Sequence, residues 1–179
     1  MKKLLIVTIT LFSISLSAQK INWMSFEEAV EAQKVTPKKI FVDAYTVWCG
    51  PCKMLDKNTF QNKDVAAYVN ENYYAVKFNA EGNETINFKG TTYTNPNFDP
   101  NKSGRNSSHQ LSGYFGIRAY PTLLFLDEET NFITPLPGYK TPKQLELYLK
   151  LFKTDAYKTL TEQGDWENYQ ANFTYEFKE

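Results

Sequence analysis

The chain has 179 residues, with 20 basic and 20 acidic side chains, one histidine and two cysteines. That balance gives no electrostatic case for a nucleic-acid partner or an anionic membrane surface. With 13 Phe, 12 Tyr and 3 Trp, the chain carries enough apolar bulk to exclude general disorder and to build one domain with a proper core.

The first predicted element is a secretory signal peptide over 1–18. Lys2 and Lys3 give a positive start, Leu4 to Leu16 an apolar run diluted by Ser and Thr, and Ser17 and Ala18 the small residues of a cleavage region. The run is shorter than the ~20 apolar residues of a spanning helix. A retained anchor is the alternative; a lipoprotein anchor is excluded, because no cysteine lies near the cleavage region. The mature chain is expected to begin near Gln19, exported, in the periplasm. Loss of Lys2 and Lys3 leaves 18 basic against 20 acidic residues, a net charge near −2. Nothing downstream approaches a transmembrane span, so no membrane insertion of the mature chain is expected.

Ser25 and Glu28 fit a capping box, predicting a helix over 26–34 that buries Phe26, Ala29 and Val30. The β-rich run 38–45, "KKIFVDAY", reads as a buried strand. Helical spacing follows in "CKMLDKNTF" and again from Asn62, with Val65, Ala66 and Val69 on one face. Residues 73–81 are strand-like. Residues 82–108, rich in Asn, Gly, Thr and Pro, predict a long loop or an inserted hairpin. A short helix over 109–117 leads to a strand at 119–127. A returning strand at 132–138 is assigned to an edge by Pro135. Thr141 and Pro142 open a helix lined by Leu145, Tyr148, Leu149 and Phe152. From Thr154 the chain reads as a helical extension, 154–179, with Trp166, Tyr169 and Phe173 at helical spacing, packing onto the domain. The order predicts one α/β domain, 19–153, with a mixed sheet.

The two cysteines, Cys49 and Cys52, stand in "WCGPCK". A bridge closing so short a loop stabilises little. A zinc site lacks ligands, with His109 as the one histidine, and covalent haem attachment fails because Lys53 occupies the histidine position. "DPNKSG" at 99–104 opens like a calcium loop, but its twelfth position is Gln110 and no flanking helices are evident. No metal and no cofactor is therefore expected. A redox pair fits each position. Cys49 at a helix head would be favoured as thiolate by the dipole and free N–H groups. Pro51 suits the first turn, Gly50 leaves a sterically open turn, and Trp48 can cover one side.

The stretch "FVDAYTVWCGPCKML" resembles the active-site strand, turn and helix of the thioredoxin superfamily, and the likeness extends over about residues 22–152, interrupted by 82–108. The resemblance implies a thioredoxin-like fold, a central mixed sheet flanked by helices. It implies that Asp43 is the buried acid serving Cys52, that Lys77 moderates its pKa, that Pro121 in "GIRAYPTLLFLD" is a cis-proline facing the cysteines, and that Gly138 lies on the substrate side. Tyr120 departs from the smaller residue of thioredoxins, and the 82–108 insertion is additional. The chemistry so implied is thiol–disulfide exchange: Cys49 attacks a substrate disulfide, and Cys52, with Asp43 as proton acceptor, resolves the mixed disulfide. The expected function is an exported protein disulfide reductase, acting as a monomer on protein disulfides and recharged by a membrane-bound thiol donor. The alternatives are a disulfide oxidant or isomerase and, in a different class, a binding module with a static Cys49–Cys52 bridge.

Overall fold

The computed structural model describes residues 20–179, so the signal peptide expected over 1–18 lies outside the described residues. Seven strands and six α-helices follow in the order β1 (Trp23–Met24), α1 (Phe26–Val35), β2 (Lys39–Tyr45), α2 (Gly50–Leu55), α3 (Lys63–Asn72), β3 (Tyr73–Asn79), β4 (Ile86–Phe88), β5 (Thr91–Tyr93), α4 (Gln110–Tyr114), β6 (Thr122–Leu126), β7 (Phe132–Pro137), α5 (Pro142–Lys153) and α6 (Asp165–Ala171). A π-helical turn, Asp56–Phe60, extends α2, and a 3₁₀ turn, Ala156–Thr159, follows α5. The main sheet has the order β1-β3-β2-β6-β7. β1, β3 and β2 run parallel, whereas β6 and β7 return antiparallel. This is the mixed α/β architecture expected of a thioredoxin-like fold.

β2 is the centre of the sheet, and its strand alternation divides the molecule into two cores. Phe41 faces a cluster containing Leu55, Phe60, Val65, Val69, Leu123, Phe125 and Leu149. Ile40, Val42 and Ala44 face the other side, with Phe26, Ala29, Phe78, Phe88, Leu111 and Phe115. Asp43 therefore shares a face with Phe41, on the side that α2 covers. On the opposite side, Phe26 contacts the rings of Phe78, Phe88 and Phe115.

α1 starts at the expected capping box: the Glu28 N–H donates to Ser25 Oγ, and the Ser25 N–H to Glu28 Oε2. Gln33, not Val30, completes its buried face, donating to the carbonyls of Lys38 and Asp127. The two-residue β1 has no signal in the sequence, because its pairing with Ala75 and Val76 is non-local. Of the two readings of 82–108, the hairpin is present: β4 and β5 pair through a two-residue turn, Lys89–Gly90, with φ of 49° and 75°. Positive φ at both positions is the two-residue turn that matches strand twist, and glycine meets it without strain. His109 is a buried helix cap, its Nδ1 accepting from the Leu111 N–H and its Nε2 bonded to the Glu84 carbonyl.

Helix α6 ends at Ala171, so Phe173 lies beyond the helix that its spacing suggested. Trp166 stacks on Tyr148 of α5 at 5.7 Å. The chain then returns across α5 and α3. Glu146, wholly buried, accepts from the backbone N–H groups of Glu176 and Phe177 and pairs with Lys150 at 2.7 Å. Phe177 is buried against Tyr68. Replacing Glu146 by Ala leaves the two backbone donors without their acceptor and Lys150 with Glu176 alone, and a broken buried pair costs about 3 kcal/mol or more. We expect Glu146→Ala to lower the urea-unfolding free energy by that order and to speed hydrogen exchange at the Glu176 and Phe177 amides. Unchanged exchange there would contradict the latch.

Candidate active site

β2 ends at Tyr45, and the turn through Thr46, Val47 and Trp48 is closed by the Cys49 N–H donating to the Thr46 carbonyl. Cys49 is the N-cap of α2, its Sγ accepting from the Cys52 N–H at 3.1 Å. Pro51 sits in the first helical turn, where its missing N–H is not needed. Cys49 and Cys52 are joined as a disulfide, with Cα atoms 5.3 Å apart. Both are nearly inaccessible, at 2% and 5% exposure. A Cβ at Gly50 would meet nothing within 4 Å, so this residue supplies open space beside the bridge.

Trp48 flanks the bridge and meets Tyr120 edge to face at 6.0 Å. The Tyr120–Pro121 peptide is cis. The Pro121 carbonyl accepts from the Gly138 N–H at 2.8 Å. Gly138 has φ of 83°, a conformation that disfavours any residue with a Cβ. Trp48, Tyr120, Pro121 and Gly138 are thus connected around one end of the disulfide helix.

Behind that helix, the parallel register sets Asp43 opposite Lys77. Lys77 Nζ lies 2.9 Å from Asp43 Oδ2 and also pairs with Asp56, on the π-helical turn. The ammonium is ringed by Trp23 at 4.8 Å and by Tyr45 and Phe60 at 5.2 Å. Burial pushes the Asp43 carboxyl up to about 6; Lys77 opposes that rise, and Asp56 adds to it. Burial also works against the Lys77 ammonium, but Asp43 and Asp56 outweigh it and hold its pKa above the usual lysine value. Asp43 Oδ1 is buried with no hydrogen-bond partner. A cavity of about 240 Å³ lined by Cys52, Tyr45, Asp56 and Lys77 adjoins this ion pair. It links the second cysteine to the group holding Asp43. Among the described residues, no group of three or more His, Cys, Asp or Glu side chains is arranged to hold a metal ion.

Three site residues escaped the sequence reading. Asp56 carries a signal, since it stands four residues after Cys52 and so on the same helix face. Glu81 lies just beyond β3, and its Oε2 accepts from Trp48 Nε1 at 2.7 Å and from the Asn106 N–H at 2.8 Å. Arg105 holds its guanidinium 4.4 Å from the centre of the Trp48 ring. Neither had a local pattern to reveal it, because the insertion reaches Trp48 only through its fold.

Residues 26–153 match the family of thioredoxin-like domains. The chain belongs to the thioredoxin-like family of thiol–disulfide oxidoreductases. A candidate disulphide-isomerase from Bacteroides thetaiotaomicron is similar at 30% identity, with 82% of this chain and 98% of that one covered and a TM-score of 0.52. A thioredoxin-fold protein from Helicobacter pylori aligns at 20% identity over 75% and 81% of the two chains, TM-score 0.59. The DsbH oxidoreductase aligns at 18% over 83% and 92%, TM-score 0.54. The last two likenesses are of fold. No curated protein matches the chain in sequence.

In this thioredoxin-like site, Asp43 keeps its proton to about pH 6, whereas an unfolded aspartate loses it near ~4. The folded state therefore loses stability as pH rises from about 4 to about 6, and the penalty is constant above that. Asp43→Asn removes it. We expect a gain of up to ~3 kcal/mol in urea-unfolding free energy at pH 7.5, shrinking toward zero near pH 4. A loss of stability at pH 7.5 would refute the buried-acid description.

Proposed function

We propose that the chain is an exported protein disulfide reductase that works by dithiol–disulfide exchange through Cys49 and Cys52. The observation carrying this reading is the bridged pair at the head of α2, with a buried carboxyl of pKa about 6 behind it. In the reduced protein, the Cys49 thiolate attacks one sulfur of a substrate disulfide. A mixed disulfide forms, and the other substrate sulfur leaves as thiolate. Cys52 then gives up its proton to Asp43, through water in the adjoining cavity, and its thiolate attacks Cys49 Sγ. The second substrate thiolate departs, and the protein keeps the Cys49–Cys52 bond, having transferred two electrons. The free N–H groups of the first turn of α2 favour thiolate at Cys49 over Cys52. Lys77 limits how far the Asp43 pKa rises, so Asp43 is a base at neutral pH and can return the proton to solvent.

Trp48, Pro51, Tyr120, Pro121 and Gly138 shape the surface on which a substrate chain lies against the bridge. The leader features of 1–18 support export to a periplasm, where a membrane-bound thiol donor would restore the dithiol. We assign the domain to 19–153 and treat 154–179 as an extension that braces α5. Among the described residues, no helix is long and apolar enough to cross a membrane. The Bacteroides protein gives the oxidant or isomerase reading a specific support, since it is named for isomerisation. Reductase and isomerase share the Cys49 mixed disulfide; in the isomerase a second substrate thiol, not Cys52, displaces Cys49, and the oxidant runs the steps above in reverse.

Titration of the protein in defined thiol/disulfide buffers, followed by Trp48 fluorescence, decides between them. We expect a value near ~−270 mV; one of about −120 to −180 mV would assign it as an oxidant or isomerase. Failure to equilibrate would leave a static bridge in a binding module. Cys52→Ser should accumulate the mixed disulfide with substrate, visible on a non-reducing gel, whereas Cys49→Ser should trap none.

A further inference from the structure

The insertion does more than cap the second core, because its far end closes on the disulfide. The Asn95 amide donates to the carbonyls of Gly82 and Ser107, and the Ser107 hydroxyl donates to Asn95 Oδ1. Asn106 binds the Asp99 backbone twice, accepting from its N–H and donating to its carbonyl. The Asn106 N–H in turn is held by Glu81, which also holds Trp48. Two residues further on, Ser108 faces the Tyr120 phenol and partly offsets the burial that raises that phenol's pKa. The C-terminal end of loop 95–108 is therefore held to Trp48 through Glu81 and lies beside Tyr120, the residue preceding Pro121.

Arg105 immediately precedes Asn106. Its guanidinium rests over the Trp48 indole, one residue from Cys49, and its side chain is exposed. Among the described residues, no carboxylate lies within ion-pair distance of it. Glu81, the nearest acid by connectivity, already serves two donors through one oxygen. A guanidinium over a ring face has N–H groups left for a further partner, and that fork matches a carboxylate. Lys53, exposed beside Cys52, adds charge of the same sign.

We propose that Arg105 reads the substrate: it accepts an aspartate or glutamate flanking the cysteine that Cys49 attacks, so the protein prefers disulfides in acidic sequence contexts. This rests on the exchange reading above and names its substrate class. The stack on Trp48 fixes the guanidinium before substrate arrives, so little side-chain freedom is lost on binding. Glu81 acts through Trp48 and Asn106, as a positioning residue.

The test uses the reduced protein and two synthetic peptide disulfides that differ only in carrying Glu or Lys beside the cysteines, with uncharged hydroxyethyl disulfide as a third substrate. The wild type is expected to reduce the Glu peptide roughly tenfold faster in kcat/KM than the Lys peptide, the scale of one charge-assisted bond. That ratio should shrink as salt is added. Arg105→Gln should reduce it towards one, and Arg105→Glu should invert it, with each peptide rate read relative to the same variant's hydroxyethyl disulfide turnover. Equal rates for the two peptides with the wild type, or an unchanged ratio in Arg105→Glu, would overturn the inference and leave the exchange chemistry intact. Absence of exchange with all three substrates would overturn the exchange reading and this inference together.

Discussion

Everything near the disulfide is arranged around one ammonium group. The parallel pairing of β2 and β3 leaves Lys77 opposite Asp43 on a face otherwise filled by Phe41, Phe60, Val69 and Leu123. A carboxylate alone in that setting would be strongly disfavoured. Lys77 offsets part of that cost, and its own position is fixed from several directions: β1 contributes Trp23, the end of β2 contributes Tyr45, and the π-helical turn contributes both Asp56 and Phe60. The shortest strand and the least regular helical turn thus meet at the same charge.

The compensation is incomplete by construction. Lys77 is shared between two carboxylates, and one oxygen of Asp43 has no partner. A fully satisfied Asp43 would be a more stable ion and a poorer base. The site keeps an acid that changes state near neutrality, at the expense of stability in the fold that holds it. The exposed end of the arrangement is built differently. Trp48, Tyr120 and Arg105 are held by ring contacts and by the Glu81 carboxylate, and the Arg105 charge is exposed.

Local patterns were enough for most of the frame. Ser25–Glu28 and Thr141–Gln144 each form the reciprocal cap that their spacing implies, and β2 follows from an apolar run interrupted by one acid, which is buried with it. The chemical pair was legible in "WCGPCK" because the bridge closes within a single turn. What stayed hidden depends on contacts distant in sequence. β1 exists through β3, Phe177 is buried because Glu146 holds the backbone beside it, and Arg105 reaches Trp48 across a fold that no periodicity announces. Phe173 shows the opposite error. Its spacing continues the stripe of Trp166 and Tyr169, yet Asn172 closes the helix before it.

The two margins of the main sheet have a further consequence. At one side β1 is two residues long; at the other, β7 carries Pro135 and Pro137, which offer no N–H to a neighbour. Both margins are poor templates for an added strand. Under the exchange function proposed above, a substrate chain held beside the disulfide would find no sheet margin to which it could add a strand.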